Sequence, residues 1–396
     1  MKFYIETYGC SRNLADSEAI AGALSEEHQQ VLNPEKADII VVNTCIVKTP
    51  TENKVLKAIE KYSKTRKRLI IAGCMSDAEP WVAKRVAPNA ERWGVRHENS
   101  LTGPRIRANS TIGIIPISSG CLGACTYCIV RYAWGKLKSY PEEKIISSVK
   151  HALKDGCKEL WITAQDTGAY GADTGTSLPA LLEKICSLPG DFKVRVGMMN
   201  PNHVMKMLPA LAKVLKHEKM FKFLHIPVQS GNNEVLKKMN RYYKAEDYRK
   251  IIRTLKQKIP QITISTDIIV GFPGETNQQF KDSLKLVRET EPDIVNISRY
   301  GARPGTRAAE MKQHPEIVKK ERSREMTILV KKTGQARSND WLDWQGEVMI
   351  DEVGKKNDFI GRNFAYKPVV VKGKHKIGDK VQVKIKKATE SYLVSG

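Results

Sequence analysis

The sequence predicts an α/β protein in three blocks: a doubly wound α/β domain, a partial (β/α)6 barrel and a small all-β barrel. Three observations carry this reading. Apolar strand-like runs alternate with helical stretches over residues 1–107, and the alternation then repeats six times over residues 108–334. Residues 335–396 change character, becoming short alternating strands separated by glycine-rich turns. At 396 residues the chain is too long for one ordinary core, so two or three domains are expected on length alone.

In the first block the run KFYIETYGC stops on Cys10, ADIIVVNTC on Cys45 and RLIIAGC on Cys74. Runs this apolar suit parallel strands buried on both faces. The stretch NLADSEAIAGALSEE, with Ser11 and Asn13 placed to cap it, and the stretch ENKVLKAIEKYSK supply the crossover helices. DAEPWVAKRVA follows as a third helix. Such alternation implies a parallel sheet with right-handed crossovers, whose ligands gather at the carboxyl ends of its strands. One strand-terminal cysteine is ordinarily packing. Three of the chain's eight, all on one sheet edge, mark a ligand site.

The second block contains the strands IGIIPISS, ELWITAQD, FKVRVGM, KFLHIPVQS, ITISTDIIVGF and DIVNISRY, interleaved with helices such as EEKIISSVKHALKDG and AEDYRKIIRTLKQK. Six such units suggest an open relative of the (β/α)8 barrel, with its working face at the strands' C-terminal ends. At the end of the first strand, SSGCLGACTYCIVRYAWG sets Cys121, Cys125 and Cys128 in a C-x3-C-x2-C spacing. A structural zinc site closes with four ligands, and no fourth Cys or His lies nearby. Three thiols around a [4Fe–4S] cube leave one iron without a protein ligand, free to take a substrate or cofactor.

This loop, with Tyr127 before its last cysteine, resembles the radical S-adenosylmethionine (SAM) superfamily. A three-cysteine α/β domain before such a barrel, and a small basic β-barrel after it, is similar to the methylthiotransferases, whose C-terminal barrel is called TRAM. YGC, NTC and AGC at the three early cysteines match, as do HIPVQSGNNEVLKKMNR, DIIVGFPGET and RYGARPGTRAA. The resemblance implies a second [4Fe–4S] cluster on Cys10, Cys45 and Cys74, carrying the sulfur to be delivered. It also implies SAM on the Cys121/Cys125/Cys128 cluster, cleaved by one electron to a 5′-deoxyadenosyl radical that takes hydrogen from the substrate. Another SAM is the methyl donor. ITAQDTGAY stands where related enzymes contact the SAM amino group, making Gln165 and Asp166 candidates for SAM or substrate contact. Asn200, Gln229, Asp267 and Arg299, at later strand ends, are further candidates. Gly271, Gly274 and Glu275 are expected to shape a turn beside the SAM adenine. His225 is either a site residue or a satisfied core histidine. Cys157 and Cys186 read as packing.

Composition points to the partner. With 66 Lys+Arg against 43 Asp+Glu the net charge is +23, which favours a polyanion, nucleic acid by default. Between Lys367 and Lys387 stand eight lysines against one acid, Asp379. Lys372, Lys374, Lys376, Lys384, Lys386 and Lys387 are therefore candidates for RNA contact, against the alternative of a charged, solvated edge strand. The run KKERSREM reads as the solvated face of a connecting helix. GMMNPN and GARPGT resemble the archaeal and eukaryotic branch acting on N6-threonylcarbamoyladenosine in tRNA, beside the anticodon. The competing readings are an N6-isopentenyladenosine tRNA enzyme, a ribosomal-protein aspartate enzyme and a non-catalytic iron–sulfur RNA-binding protein. The resemblance further implies a flavodoxin- or ferredoxin-like electron donor and a sulfur source. No run reaches the ~18–20 apolar residues of a membrane span, and the chain starts directly in a strand, so a soluble cytoplasmic protein is expected.

Overall fold

The computed structural model describes residues 1–95, 101, 103–355 and 358–396. The first block folds as a five-stranded, wholly parallel sheet. In space the order is Gln29–Gln30, Lys2–Thr7, Ile39–Thr44, Arg68–Gly73, Glu91–Trp93. This is the doubly wound order whose direction of winding reverses between the strand Lys2–Thr7 and the strand Ile39–Thr44. One face packs Phe3, Ile20, Ile39, Val41 and Ile70, the other Ile40, Val42, Val55, Ile59 and Ile71, so alternate residues of one apolar strand serve two cores.

Two local expectations fail for physical reasons. The first helix begins at Ser11 with Cys10 in the N-cap position and no side-chain cap, because Ser11 and Asn13 are occupied elsewhere. Ser11 Oγ lies 2.9 Å from Thr163 Oγ1 in the barrel, and Asn13 Nδ2 donates to Thr44 O at 2.9 Å. The helix expected over 77–87 is two, Cys74–Ala78 and Pro80–Val86, broken at Glu79. Pro80 has no N–H and forces Glu79 out of helical conformation.

The second block lays six parallel strands in sequence order: Ile112–Pro116, Glu159–Thr163, Lys193–Val196, Phe223–His225, Thr263–Val270 and Ile294–Arg299. They form two three-stranded sheets bridged at Val194–Met220, an open arc around one large apolar core. Cys157 and Cys186 belong to that core. The long helix Glu316–Asn339 packs along the last strands, and the solvated-face reading of KKERSREM holds for Lys320, Glu321, Arg324 and Glu325 but not for its inward side. Lys319 and Arg322 are buried, the guanidinium of Arg322 meeting Glu275 Oε2 at 2.7 Å.

The third block is a closed five-stranded barrel of strands Gln345–Val353, Phe359–Arg362, Pro368–Val371, Leu393–Ser395 and Lys380–Ala388, in that spatial order. Closure leaves Lys380–Ala388 paired on both sides, so it is not an edge strand. A bulge between Ile385 and Lys387 turns both Lys386 and Lys387 outward. Lys372, Lys374 and Lys376 are also exposed, whereas Lys384 pairs with Asp343 at 3.1 Å.

This barrel sits against the N-terminal ends of the central strands. Asn109 Nδ2 donates to Asp351 O at 2.7 Å, Lys158 Nζ to Gly378 O at 2.8 Å and the Lys222 N–H to Phe364 O at 2.8 Å. Lys367 pairs with Asp293 at 2.8 Å. Residues 109, 158, 222 and 293 each immediately precede or closely approach a strand start, so the third block closes the end of the arc opposite its working face. Among the described residues no helix is long and apolar enough to cross a membrane.

Candidate active site

The cluster loop 121–128 follows the first central strand, and its fold comes from backbone bonds such as Cys121 N–H to Gly135 O and Cys128 N–H to Cys125 O. All three thiols line a cavity of about 460 Å³ at the C-terminal end of the arc, with Gln165, Asn200, Gln229 and Asp267 on its walls. Each sulfur has its own surroundings. The Gly123 N–H donates to Cys121 Sγ at 3.2 Å, and Arg241 Nη1 donates to Cys125 Sγ at 3.0 Å. Burial, reinforced for Cys121 by Asp166 and for Cys128 by Cys125, pushes the thiols of Cys121 and Cys128 up to about 11 and about 12. Thiols so raised keep their protons at neutral pH until a metal displaces them.

Arg241 was not singled out by sequence reasoning. Besides Cys125 it donates from Nη2 to Asn200 Oδ1 and from Nε to Tyr243 OH at 3.0 Å, fixing an arginine beside the cluster loop. The only signal was its place at the end of HIPVQSGNNEVLKKMNR, which carried resemblance without a role.

The candidates divide. Gln165 Oε1 is buried without a hydrogen-bond partner among the described residues while its residue lines the cavity, the signature of an acceptor awaiting a ligand. Asp166 lies behind the wall. It is 1% exposed and accepts from Asn200 Nδ2 at 2.6 Å and from the N–H groups of Gly168 and Asn200 at 3.1 and 3.2 Å, so it orients Asn200. Gln229 holds a left-handed backbone, φ 67°, which turns its side chain at the mouth. Asp267 Oδ1 lies 3.0 Å from His225 Nε2 and accepts from Asn296 Nδ2 at 2.8 Å. Burial alone would raise the Asp267 carboxyl, yet these partners hold it below its ordinary value. His225 is thereby the satisfied partner of a site carboxylate.

Arg299 is not on the first cavity. It lines a second, of about 640 Å³, that shares Val47, Tyr127, Cys128, Gln229 and Asp267 with the first and is closed on the other side by Lys48, Thr49 and Pro50 of the first block. Gly271, Gly274 and Glu275 line neither. Glu275 accepts from the Gly271 N–H at 2.8 Å, and Phe272 packs edge-on to Tyr127 at 6.4 Å, so this turn buttresses the cluster loop from behind.

The second triad follows from the sheet order. Cys10 and Cys45 end the two strands that flank the winding reversal, and Cys74 ends the next strand over. Gly9 and Gly73, at φ 113° and 81°, permit the approach. A Cβ on Gly9 would lie 2.6 Å from Cys45 Cβ, and one on Gly73 would lie 2.3 Å from Asn43 Oδ1. Burial raises the thiols of Cys45 and Cys74, and deprotonation of Cys74 is further opposed by Cys45 and Cys10, so the three share one electrostatic neighbourhood. Trp134, at the end of the helix after the cluster loop, donates from Nε1 to Cys74 Sγ at 3.3 Å. Arg303 ties the far wall to the first block through Glu52 and through Thr49 Oγ1 at 3.1 Å. Only the barrel triad lines the two cavities; the first block reaches them through residues 47–50, the segment that begins two positions after Cys45. Among the described residues no three Cys, His, Asp or Glu are grouped to hold a single metal ion. The donor set, three thiols lining one cavity with N–H groups aimed at two of the sulfurs, fits an iron–sulfur cluster.

Comparison with known proteins assigns the class. The radical SAM superfamily matches residues 115–287, the uncharacterized protein family UPF0004 residues 2–93, and the TRAM domain residues 346–395. The radical SAM methyltransferase TsrM from Kitasatospora setae shares the fold, with a TM-score of 0.54 at 12% identity over 78% of this chain and 74% of that one. The chain is therefore a radical SAM enzyme, a class that uses an iron–sulfur cluster and SAM. The probable threonylcarbamoyladenosine tRNA methylthiotransferase of Pyrococcus abyssi is 41% identical over 100% of this chain and 99% of its own length. The human threonylcarbamoyladenosine tRNA methylthiotransferase is 35% identical over 99% of this chain and 73% of its own. The chain belongs to this family of radical SAM methylthiotransferases.

Proposed function

We propose that this enzyme replaces a C–H hydrogen of N6-threonylcarbamoyladenosine, at position 37 of tRNA beside the anticodon, with a methylthio group. The observation that carries the reading is the cavity lined by the barrel thiols Cys121, Cys125 and Cys128, which adjoins a second one walled by residues 47–50, the segment that begins two positions after Cys45. Cys121, Cys125 and Cys128 hold the SAM-binding [4Fe–4S] cluster, and Cys10, Cys45 and Cys74 hold a second one. The bound cofactors supply reductive cleavage of SAM, hydrogen abstraction and the sulfur to be delivered.

The protein's own part is placement. Gln165 offers its unpartnered carbonyl oxygen to SAM or substrate in the first cavity, and Asp166 fixes Asn200 for the same purpose. Gln229 and Asp267 stand where the two cavities meet, which suits a contact to whatever bridges them. Arg241 donates to a cluster sulfur and so steadies negative charge there. Asn13 joins the Cys10 loop to the Cys45 strand, holding the second triad together. The division at 1–107, 108–334 and 335–396 assigns sulfur delivery, radical chemistry and RNA grip to separate blocks. Lys372, Lys374, Lys376, Lys386 and Lys387 are the proposed phosphate contacts, with Lys384 restrained by Asp343. A flavodoxin- or ferredoxin-like donor, a separate sulfur source and a cytoplasmic setting complete the reading. It is tested by mass spectrometry of tRNA nucleosides from cells with and without the gene. Loss of the 2-methylthio derivative with accumulation of its threonylcarbamoyl precursor is expected; an unchanged profile would overturn it.

A further inference from the structure

The second cavity carries positive charge that its own walls do not neutralise. Five charged side chains line it: Lys48, Asp267, Arg299, Arg303 and Glu316. Three are already engaged. Asp267 is held by His225 and Asn296. Arg303 is 4% exposed and directed at Glu52 and Thr49. Glu316 accepts from Lys319 Nζ at 2.7 Å, and its other oxygen is 3.9 Å from Arg299 Nη1, beyond hydrogen-bond reach.

That leaves Lys48 and Arg299. The Lys48 side chain is exposed and among the described residues makes no hydrogen bond or close ion pair, its charge reaching Asp267 and the Cys45 thiol only through space. The Arg299 side chain is half exposed, at 50%. Neither is on a loose loop. Arg299 ends the strand Ile294–Arg299, and Lys48 is the N-cap residue of the fifteen-residue helix Thr49–Ser63, three positions after Cys45. Thr49 and Pro50 of that helix also line the cavity, which adds the positive end of its dipole, while its first acid, Glu52, is taken by Arg303. Two cations without a hydrogen-bonded counter-ion, Lys48 acting on Asp267 only through space and Arg299 held only by the long 3.9 Å pair with Glu316, join a helix N-terminus from two blocks of the chain at one hollow adjoining Cys128.

We infer that Lys48 and Arg299 receive a carboxylate borne by the substrate base and so select an acidic N6 substituent over an apolar one. This rests on the threonylcarbamoyl reading above: a threonine acylated through its amino group keeps its α-carboxylate. An isopentenyl group has nothing to offer these cations and would leave them unpaired on entering the hollow. A charge-assisted contact of this kind, two partly exposed cations sharing one carboxylate, is worth roughly 10- to 100-fold in affinity.

The test uses the full-length chain and three anticodon stem-loops that differ only at the target base. One carries the threonylcarbamoyl group, one its carboxylate methyl ester and one plain adenosine. Wild type is expected to bind the acid roughly 10- to 100-fold tighter than the ester. In K48Q/R299Q that ratio should fall towards one with little change for plain adenosine, and R299K should keep part of it. A double variant that retains the full ratio, or that weakens all three loops equally, overturns the inference, as does a wild type indifferent to esterification. Esterification is read on the unaltered protein, so a folding defect in a variant cannot hide the answer. If wild type instead modifies only isopentenyladenosine loops, the substrate reading itself has failed, a result distinct from the others.

Discussion

Five exposed lysines of the C-terminal barrel, Lys372, Lys374, Lys376, Lys386 and Lys387, make a quantitative prediction about RNA binding. Each phosphate contact on a duplex contributes about 0.9 to the slope of log K against log salt, so replacing all five with Gln lowers that slope by up to about 4.5. Lys384 is omitted because Asp343 already neutralises it at 3.1 Å. Over a fourfold rise in salt, a slope difference of 4.5 corresponds to a change of about 500-fold in relative affinity. Variant and wild type should therefore diverge at low salt and converge at high salt. The loss should be nearly the same for substrate and non-substrate tRNAs, since phosphate contacts position without specifying sequence. Geometry adds a condition. These lysines belong to a barrel on the far end of the arc from the cavities, and the eight-residue strand Thr263–Val270 alone spans about 26 Å. A full tRNA can span that distance, whereas a short anticodon stem-loop need not, and its binding should change far less. The assay is a salt titration of tRNA binding for both proteins. Identical slopes would refute the reasoning and place the RNA-binding charge elsewhere.

Other outcomes follow from the same site. Anaerobic reconstitution should load about eight irons per chain, two four-iron clusters, and Cys121, Cys125 and Cys128 replaced together by Ala should halve the iron and abolish 5′-deoxyadenosine; zinc in either triad would contradict this. The corresponding Cys10, Cys45 and Cys74 variant should still cleave SAM yet insert no sulfur, and methylthio product from it would remove the delivery role. Glu159, fully buried beside Asp351 at the junction of the two barrels, is pushed up to about 7, chiefly by burial. Because the folded state then holds a proton that the unfolded state releases above its ordinary value of 4.5, stability should fall as pH rises from 4.5 to 7. The amount is about 3 kcal/mol, and Glu159→Gln should flatten that part of the denaturation profile; an unchanged slope in the variant would show that Glu159 is not the titrating group.

What the sequence revealed was whatever is written locally. Cys10, Cys45 and Cys74 end apolar runs, the C-x3-C-x2-C spacing lies within eight residues, and alternating VQVKIKK marks a strand with one charged side. What it hid depends on contacts between distant segments. Ser11 and Asn13 look like helix caps until Thr163 and Thr44 draw them away. Lys319 and Arg322 look solvated because Glu275, which buries Arg322, is 47 positions earlier. The roles of Arg241, Trp134 and Lys48 exist only once the loop 121–128, the first block and the last barrel strand meet. The strand expected over KFLHIPVQS shrinks to Phe223–His225, since Pro227 has no N–H to donate to a ladder. The placement of the C-terminal barrel opposite the working face has no local signature at all.

The most direct test of the central claim is turnover by the reconstituted chain. The enzyme, loaded anaerobically with iron and sulfide, is given SAM, a one-electron reductant and tRNA carrying N6-threonylcarbamoyladenosine, and the digested nucleosides are weighed by mass spectrometry. Conversion of that nucleoside to its 2-methylthio derivative, together with 5′-deoxyadenosine, is the predicted result. Formation of 5′-deoxyadenosine with the nucleoside unchanged, or methylthiolation confined to an isopentenyladenosine tRNA, would contradict the account.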